Sequence, residues 1–216
     1  MNLNLELTTM PLGGMGTNCY ILSDSASGDA YVFDPGDEAD YLLRYLDQKG
    51  LKLCGIILTH GHFDHILAVD DLLKAVPGIP VYANKEEKVV FENRSYNLCG
   101  MVGGRFNFMP TNYLEDGEIL EILGTKVTCL HTPGHTCGGM CYFIEDKWWL
   151  IAGDTLFQAS IGRTDFPTGS YKVLAASIRE KIYTLPDWVK VFPGHGPATT
   201  VEEEKHTNMF VRALDD

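Results

Sequence analysis

Apolar positions along this chain fall into two rhythms. Runs of four or five consecutive apolar residues, closed by glycine, proline or a small polar residue, alternate with stretches where apolar residues recur every three to four positions. Unbroken runs of that length read as strands covered on both faces, and the wider spacing reads as helices with one covered face. The first strand set is predicted over 3–9, 18–22 and 30–33, with a turn at Gly13-Gly14-Met15-Gly16 and another at Asp34-Pro35-Gly36. A helix is predicted over 40–49, where Tyr41, Leu42, Tyr45 and Leu46 share a face and Gly50 ends the pattern. A strand over 55–58 leads into a second helix carrying Ile66, Val69, Leu72, Leu73 and Val76, which Pro77-Gly78 terminates.

Another helix is predicted over 85–92, followed by a loop over 93–113 with Gly100, Gly103, Gly104 and Pro110. Loops that long inside a compact domain are usually functional or disordered. A second strand set covers 118–123, 126–130, 140–144 and 148–151, then a helix over 170–185 with Val173, Leu174, Ile178 and Ile182 on one face, and a last strand over 189–192. Two strand blocks, each followed by helices, predict an α/β sandwich of two sheets with helices on the outer faces. No repeat, linker or low-complexity tract divides the chain, so residues 1–216 are expected to form one domain.

Composition narrows the function. A chain of 216 residues, 45% of them hydrophobic, can bury a sizeable core. Its formal charge of −12 disfavours a phosphate-tracking surface and with it a nuclease or other nucleic-acid partner. Residues 1–16 hold no Lys or Arg, and no apolar run is long enough to span a membrane, so a soluble, cytoplasmic protein is expected. The six cysteines show no CxxC spacing and fit a reducing compartment. Cys137 follows His135-Thr136 closely enough to raise the question of ligation, although a packed thiol is the favoured reading.

The chemistry lies where apolar runs end. Five of the seven histidines occur in His60-Gly61-His62-Phe63-Asp64-His65, Pro133-Gly134-His135 and Pro193-Gly194-His195-Gly196, and Gly153-Asp154 follows a fourth run. Strand ends converging on one rim bring five imidazoles and two carboxylates together, enough for two metal ions and for hydrolysis by an activated water. His60 and His62 project to one side of an extended segment, so with His135 they are assigned to a first ion. Asp64, His65 and His195 are assigned to a second, and Asp154 to a bridging place, with Asp64 and Asp154 as the catalytic carboxylates. Taken alone, each has a plainer reading: Asp64 as a helix cap, His135 or His195 as a turn residue. HxHxDH together with three further segments is far more specific. His131 is read as strand-end packing or as a supporting partner, His206 as solvent-facing.

The order HxHxDH, TPGH, GD and PGHG, covering nearly the whole chain, resembles the metallo-β-lactamase fold superfamily. Gly162-Arg163-Thr164-Asp165-Phe166-Pro167, after Gly153-Asp154-Thr155-Leu156-Phe157, is similar to the short, single-domain form of glyoxalase II, a hydroxyacylglutathione hydrolase. The resemblance implies an αββα four-layer sandwich and two divalent ions, zinc first with iron or manganese as alternatives. It also implies a small-molecule thioester substrate derived from glutathione. Two-domain relatives bind glutathione partly through a helical carboxy-terminal domain; here the sequence ends soon after the last ligand, His195, so substrate recognition is expected to use what remains. A basic residue at the place of Arg163 contacts glutathione in those relatives, so Arg163 is the candidate for a substrate carboxylate, weighed against a local ion pair with Asp165. Phe63, Phe106, Phe108 and Phe157 are candidates for the pocket wall or for the core.

The donor set already uses its acids and imidazoles, leaving no separate general acid. A thiolate leaving group, whose parent pKa is about 8.5, departs without one, whereas an amide nitrogen generally needs it. Thioester hydrolysis is therefore expected ahead of lactam hydrolysis. The alternative is a persulfide dioxygenase of the same fold, with one iron held by two His and one Asp, which shares HxHxDH, TPGHT and GRTDF. The PGHGP segment favours the hydrolase. A non-catalytic binding protein is disfavoured by the intact ligand set, and a flavodiiron protein by His62, where that family places Glu.

Overall fold

The computed structural model describes residues 4–213. The first sheet has six strands in sequence order: β1 (Leu5–Leu12), β2 (Thr17–Asp24), β3 (Asp29–Phe33), β4 (Lys52–Ile57), β5 (Val81–Asn84) and β6 (Asn112–Leu114). Its first three strands are antiparallel, and β3 to β6 run parallel. The second sheet contains β7 (Ile119–Ile122), β8 (Thr125–His131), β9 (Met140–Ile144) and β10 (Trp149–Gly153). A two-stranded ribbon, β11 (Leu156–Phe157) and β12 (Ser160–Ile161), precedes β13 (Lys190–Pro193) and β14 (Thr199–Thr200), and the second sheet is ordered β14-β13-β10-β9-β8-β7.

The unbroken apolar runs are explained by strands with two covered faces. In β2, Tyr20 and Leu22 face the other sheet, while Ile21 faces helices α1 (Ala39–Lys49), α2 (Phe63–Ile66) and α3 (Val69–Ala75) on the outside. Val32 and Phe33 split the same way, as do Ile56 and Ile57. Across the sandwich Tyr142, Ile151 and Phe192 face inward. Their neighbours Cys141, Leu150 and Val191 pack outward against Leu174, Ile178, Ile182 and Val201. Three separate apolar clusters between four layers make the αββα sandwich, with side chains alternating as strand geometry requires.

Several boundaries differ from the sequence reading. Leu3, predicted to open the first strand, lies outside the described residues, and β1 continues past residue 9 because Met10 and Leu12 still reach the core. The predicted helix after His65 is broken into α2 and α3. The 85–92 segment is a 3-10 turn over Lys85–Glu87 leading into α4 (Lys88–Glu92). The 93–113 segment is not all loop, since it contains α5 (Cys99–Val102) and the start of β6. The 170–185 helix is shorter: α6 (Tyr171–Ser177), capped by the Ser170 hydroxyl, widens into a π-turn over Ile178–Ile182. The strands β5, β11, β12 and β14 and the helix α7 (Val201–Thr207) lacked a readable pattern because they are short. All six cysteines are free, and Cys137 donates to the Glu86 carbonyl. Among the described residues no helix is long and apolar enough to cross a membrane.

Buried hydroxyls and amides bind the two sheets together at one rim. Tyr142 Oη donates across the sandwich to the Leu58 carbonyl (2.7 Å), and Tyr20 Oη to the Pro193 carbonyl (2.5 Å). The Asn18 side chain donates to the carbonyls of Pro193 (3.0 Å) and Gly196 (2.8 Å). Gly36 lets the turn after β3 lie directly on the segment carrying Asp64: a Cβ there would stand 1.6 Å from the Asp64 carbonyl oxygen. Gly36→Ala is therefore expected to destabilise by about 1–3 kcal/mol, lowering Tm by roughly 2–4 °C per kcal/mol in a thermal melt. Gly14→Ala, where nothing lies within 4 Å, should stay within about 0.5 kcal/mol of the parent.

Candidate metal centre

The segments that follow β4, β8, β10 and β13 meet at that rim. β10 and β13 are parallel, and β8, two antiparallel steps from β10, ends on the same side. His60, His62, His65 and His135 are buried, while Asp64, Asp154 and His195 are partly open to a cavity of about 290 Å³.

Two clusters of donor atoms result. In the first, His62 Nδ1 lies 3.1 Å from His60 Nε2 and 2.9 Å from His135 Nε2. The Thr59 hydroxyl spends its proton on Asp34 Oδ2 (2.6 Å), so it accepts from His60 Nδ1 (3.0 Å). His135 Nδ1 donates to the Arg163 carbonyl (2.7 Å). Both bonds leave a bare lone pair on Nε2, facing His62. Burial, followed by the neighbouring imidazoles, holds His60 well below the usual imidazole range, and burial with His135 takes His62 down to about 3. Burial lowers His135 too, against Asp154 and the Arg163 carbonyl. Neutral imidazoles whose nitrogens converge in a triangle are the form in which histidine ligates a metal.

In the second cluster Asp64 Oδ2 lies 3.2 Å from His195 Nε2 and 3.7 Å from His65 Nε2. Burial disfavours charge on Asp64, but His65, His195 and the Thr17 hydroxyl (2.9 Å) outweigh it and hold the carboxyl below its usual range. His65 responds oppositely: burial lowers it, and Asp64, Asp154 and Asp34 together raise it well above the ordinary value. Asp154 touches both clusters, with Oδ1 3.4 Å from His65 Nε2 and Oδ2 3.6 Å from both His135 Nε2 and His195 Nε2.

The residues fit two cations on an observation independent of any motif. His65 Nε2 and Asp154 Oδ1, both in the second cluster, are buried side-chain polar atoms without a hydrogen-bond partner; His62 Nε2 lacks one too, but it is His62 Nδ1 that faces the other imidazoles. Such orphans are costly in an interior unless something else coordinates them. Nitrogens bound at about 2.0–2.1 Å to one tetrahedral ion stand about 3.3 Å apart, close to the spacing in the first cluster.

Asp34 was read from sequence only as part of a turn, yet it supports the centre. It adopts the left-handed backbone region (φ 48°), is buried, and accepts from Thr59 N (2.7 Å), Thr59 Oγ1 (2.6 Å) and His65 Nδ1 (2.9 Å). Although it lies close to His60 and His65, its oxygens are already engaged, which makes it an orienting partner for His65. Its position directly after a strand end, like the ligand segments, was the available signal. Thr17 and Glu87 carried none, the latter sitting in the charged run Lys85-Glu86-Glu87-Lys88.

Other expectations resolve individually. Asp64 lies in the first turn of α2, whose N-cap is His62, and its Oδ2 accepts from the Thr17 hydroxyl. Phe63 and Phe157 line the cavity, with Met15, Leu98, Ile161 and Phe166, whereas Phe106 and Phe108 pack with Phe91 in the outer core. Arg163 reaches the cavity rim, but its guanidinium forms a bidentate pair with Asp165 (2.9 and 2.7 Å) and stacks 4.1 Å over Phe166. His131 Nε2 donates to the Cys137 carbonyl (2.9 Å), which is strand-end packing, and His206 is exposed.

The family model of the metallo-beta-lactamase superfamily matches residues 12–195. The probable metallo-hydrolase YqgX of Bacillus subtilis is 39% identical over 207 residues, covering 95% of this chain and 97% of that protein. Hydroxyacylglutathione hydrolase GloC of Haemophilus influenzae is 35% identical over 218 residues, covering 98% and 99%. Among solved structures, the BLEG-1 B3 metallo-beta-lactamase superposes with a TM-score of 0.89 at 38% identity, covering 95% of this chain and 99% of that one. TTHA1623 in a di-iron-bound form superposes with a TM-score of 0.84 at 33% identity, covering 94% and 100%. The chain belongs to the metallo-beta-lactamase superfamily of metallo-hydrolases.

Proposed function

We propose that this protein is a binuclear hydrolase of acyl thioesters, glutathione-derived esters such as S-lactoylglutathione among them, working as one domain. The observation that carries it is the pair of donor clusters joined through Asp154. His60, His62 and His135 would hold one ion, Asp64, His65 and His195 the other, and Asp154 both. When bound, two divalent cations, zinc first and iron or manganese as alternatives, lower the pKa of water from about 15.7 to about 7 and polarise the acyl oxygen.

The chain's own groups do the rest. Asp34 and the Arg163 carbonyl fix the tautomers of His65 and His135. Asp64, held ionised by its neighbours and steadied by Thr17, is kept in the form in which a carboxylate would ligate the second ion. The apolar wall of Met15, Phe63, Leu98, Phe157, Ile161 and Phe166 excludes water from around the acyl group. Among the residues lining the cavity there is no Lys, Tyr or Glu, and the only polar side chains outside the donor set are Ser160 and Arg163. That inventory suits a leaving group needing no proton, a thiolate, better than an amine. The complete second cluster favours the hydrolase over a dioxygenase built on one iron. Arg163, exposed at the rim, would meet a carboxylate of the thiol portion in competition with Asp165.

The test is metal analysis of the purified protein with kinetics on S-lactoylglutathione, a β-lactam panel and oxygen uptake on a persulfide. Two ions per chain and thioester cleavage are expected; one iron with oxygen uptake, or β-lactam turnover exceeding thioester turnover, contradicts the proposal. Chelation should abolish thioester cleavage and metal restore it. His60→Ala and Asp154→Ala should each lower kcat/KM by at least about 10²-fold, of the order lost with a key transition-state contact; wild-type rates in both would show that the site is wrongly placed. Arg163→Ala should raise KM by up to about 5-fold for thioesters bearing a carboxylate, the scale of an exposed ion pair, with kcat unchanged.

A further inference from the structure

Glu87 is fully buried, although its sequence neighbourhood reads as a solvated surface. Its Oε1 accepts from the Gly61 N–H (2.8 Å), between His60 and His62. Its Oε2 accepts from the Thr136 hydroxyl (2.9 Å) and the Gly138 N–H (2.8 Å), on the loop that presents His135. The two loops belong to different sheets; the facing nitrogens of His62 and His135 stand 2.9 Å apart, and one backbone bond, from Met140 N–H to the Thr59 carbonyl (2.9 Å), joins them nearby. One carboxylate, gripping each loop with a separate oxygen, spans the same gap from behind.

Backbone packing repeats the constraint. A Cβ on Gly138 would stand 2.2 Å from the Glu87 backbone nitrogen, so the His135 loop is seated on the main chain as well as on the carboxylate. On the other side, a Cβ on Gly61 would lie 3.1 Å from Val90 and 3.2 Å from Phe91, both in α4, which Glu87 precedes. All three groups donating to Glu87 are neutral. Its burial, which pushes the carboxyl up to about 7, is countered by hydrogen bonds and by no cation. A buried carboxylate without a counterion is an expensive way to brace a core, and a methyl-bearing side chain would fill the space with less penalty. What it supplies instead is a distance between two loops.

We propose that Glu87 is a positioning residue for the first ion: by tying Gly61 to Thr136 and Gly138, it sets the separation between the His60–His62 pair and His135. This rests on the metal-site reading above. Glu87 touches none of the three imidazoles and leaves Asp64, His65 and His195 untouched, so its effect is confined to one of the two sites. Glu87→Gln keeps the size but turns an NH₂ toward at least one N–H or hydroxyl that now donates, pushing one loop away.

The test uses the full chain and zinc as the probe, with site-resolved affinity from competition against a chelator and the visible spectrum of the cobalt-substituted protein. Glu87→Gln is expected to weaken one zinc site by about 10- to 100-fold, the usual effect of losing a partner behind a metal ligand, while the other keeps its affinity. The cobalt spectrum should change for that site alone, and Glu87→Asp should recover part of the loss. Thr136→Val, which removes one of the three bonds and keeps the carboxylate, should give a smaller loss at the same site should Glu87→Gln fail to fold. Glu204→Gln is the control. It alters an equally buried carboxylate that accepts from Ala159 N, Thr199 Oγ1 and Asn208 Nδ2, away from the first cluster, and should lower Tm without selective zinc loss. Two wild-type zinc affinities in Glu87→Gln, or equal weakening of both sites together with the fall in Tm seen for Glu204→Gln, overturn the positioning role while leaving the metal site itself intact. Absence of zinc binding by the parent protein would instead remove the metal-site reading.

Discussion

Nitrogens of His60, His62 and His135 converge to about 3 Å, and the outer nitrogens of His60 and His135 donate to Thr59 and to the Arg163 carbonyl, which turns their remaining lone pairs inward, where a cation would be ligated. The neighbouring cluster has an imbalance of charge. Asp64, Asp154 and Asp34 crowd His65 with more negative charge than one imidazole can neutralise. Converging imidazole lone pairs beside carboxylates without enough cations form the charge distribution that the two proposed divalent ions would complete. The packing around the rim holds these groups in place.

That restraint begins with strands covered on both faces. Because Ile56 and Ile57, or Leu150 and Ile151, are buried in opposite layers, a slip of register by one residue would carry each side chain into the other layer and spoil close packing on both faces. Strand ends are consequently fixed, and ligands placed within a few residues of them inherit the precision. Tyr142, Tyr20 and Asn18 then join the sheets at that rim, so that ligands from both halves share one frame. Asp34 orients His65 from the first sheet, and Glu87 spans the remaining gap between the loops.

Much of this was legible in the chain. The donor residues announced themselves because glycine-flanked histidines directly after apolar runs have few structural reasons to recur three times, with Gly153-Asp154 after a fourth run, and the structure brings all seven side chains together. The four layers followed from the two rhythms of apolar positions. Less was visible where an element owes its existence to contacts rather than to pattern: β5 and β6 are short, β5 pairing along the edge of β4 and β6 along β5, and α7 is polar along most of its length, with Val201 and Glu204 its buried residues. Glu87 and Asp34 were hidden for a related reason, since a carboxylate in a charged run or a turn looks like solvated surface until the groups donating to it are known. Arg163 shows the converse, a residue whose motif suggested a ligand and whose guanidinium is occupied by Asp165 two residues away.

The most direct measurement is anomalous diffraction at the metal absorption edge from crystals of the metal-loaded protein. Two peaks are expected, one inside the His60, His62 and His135 triangle and one among Asp64, His65 and His195, with Asp154 reaching both. A map with no peak at either place, or with its strongest peak away from these side chains, would contradict the reading of this rim as a paired-cation site.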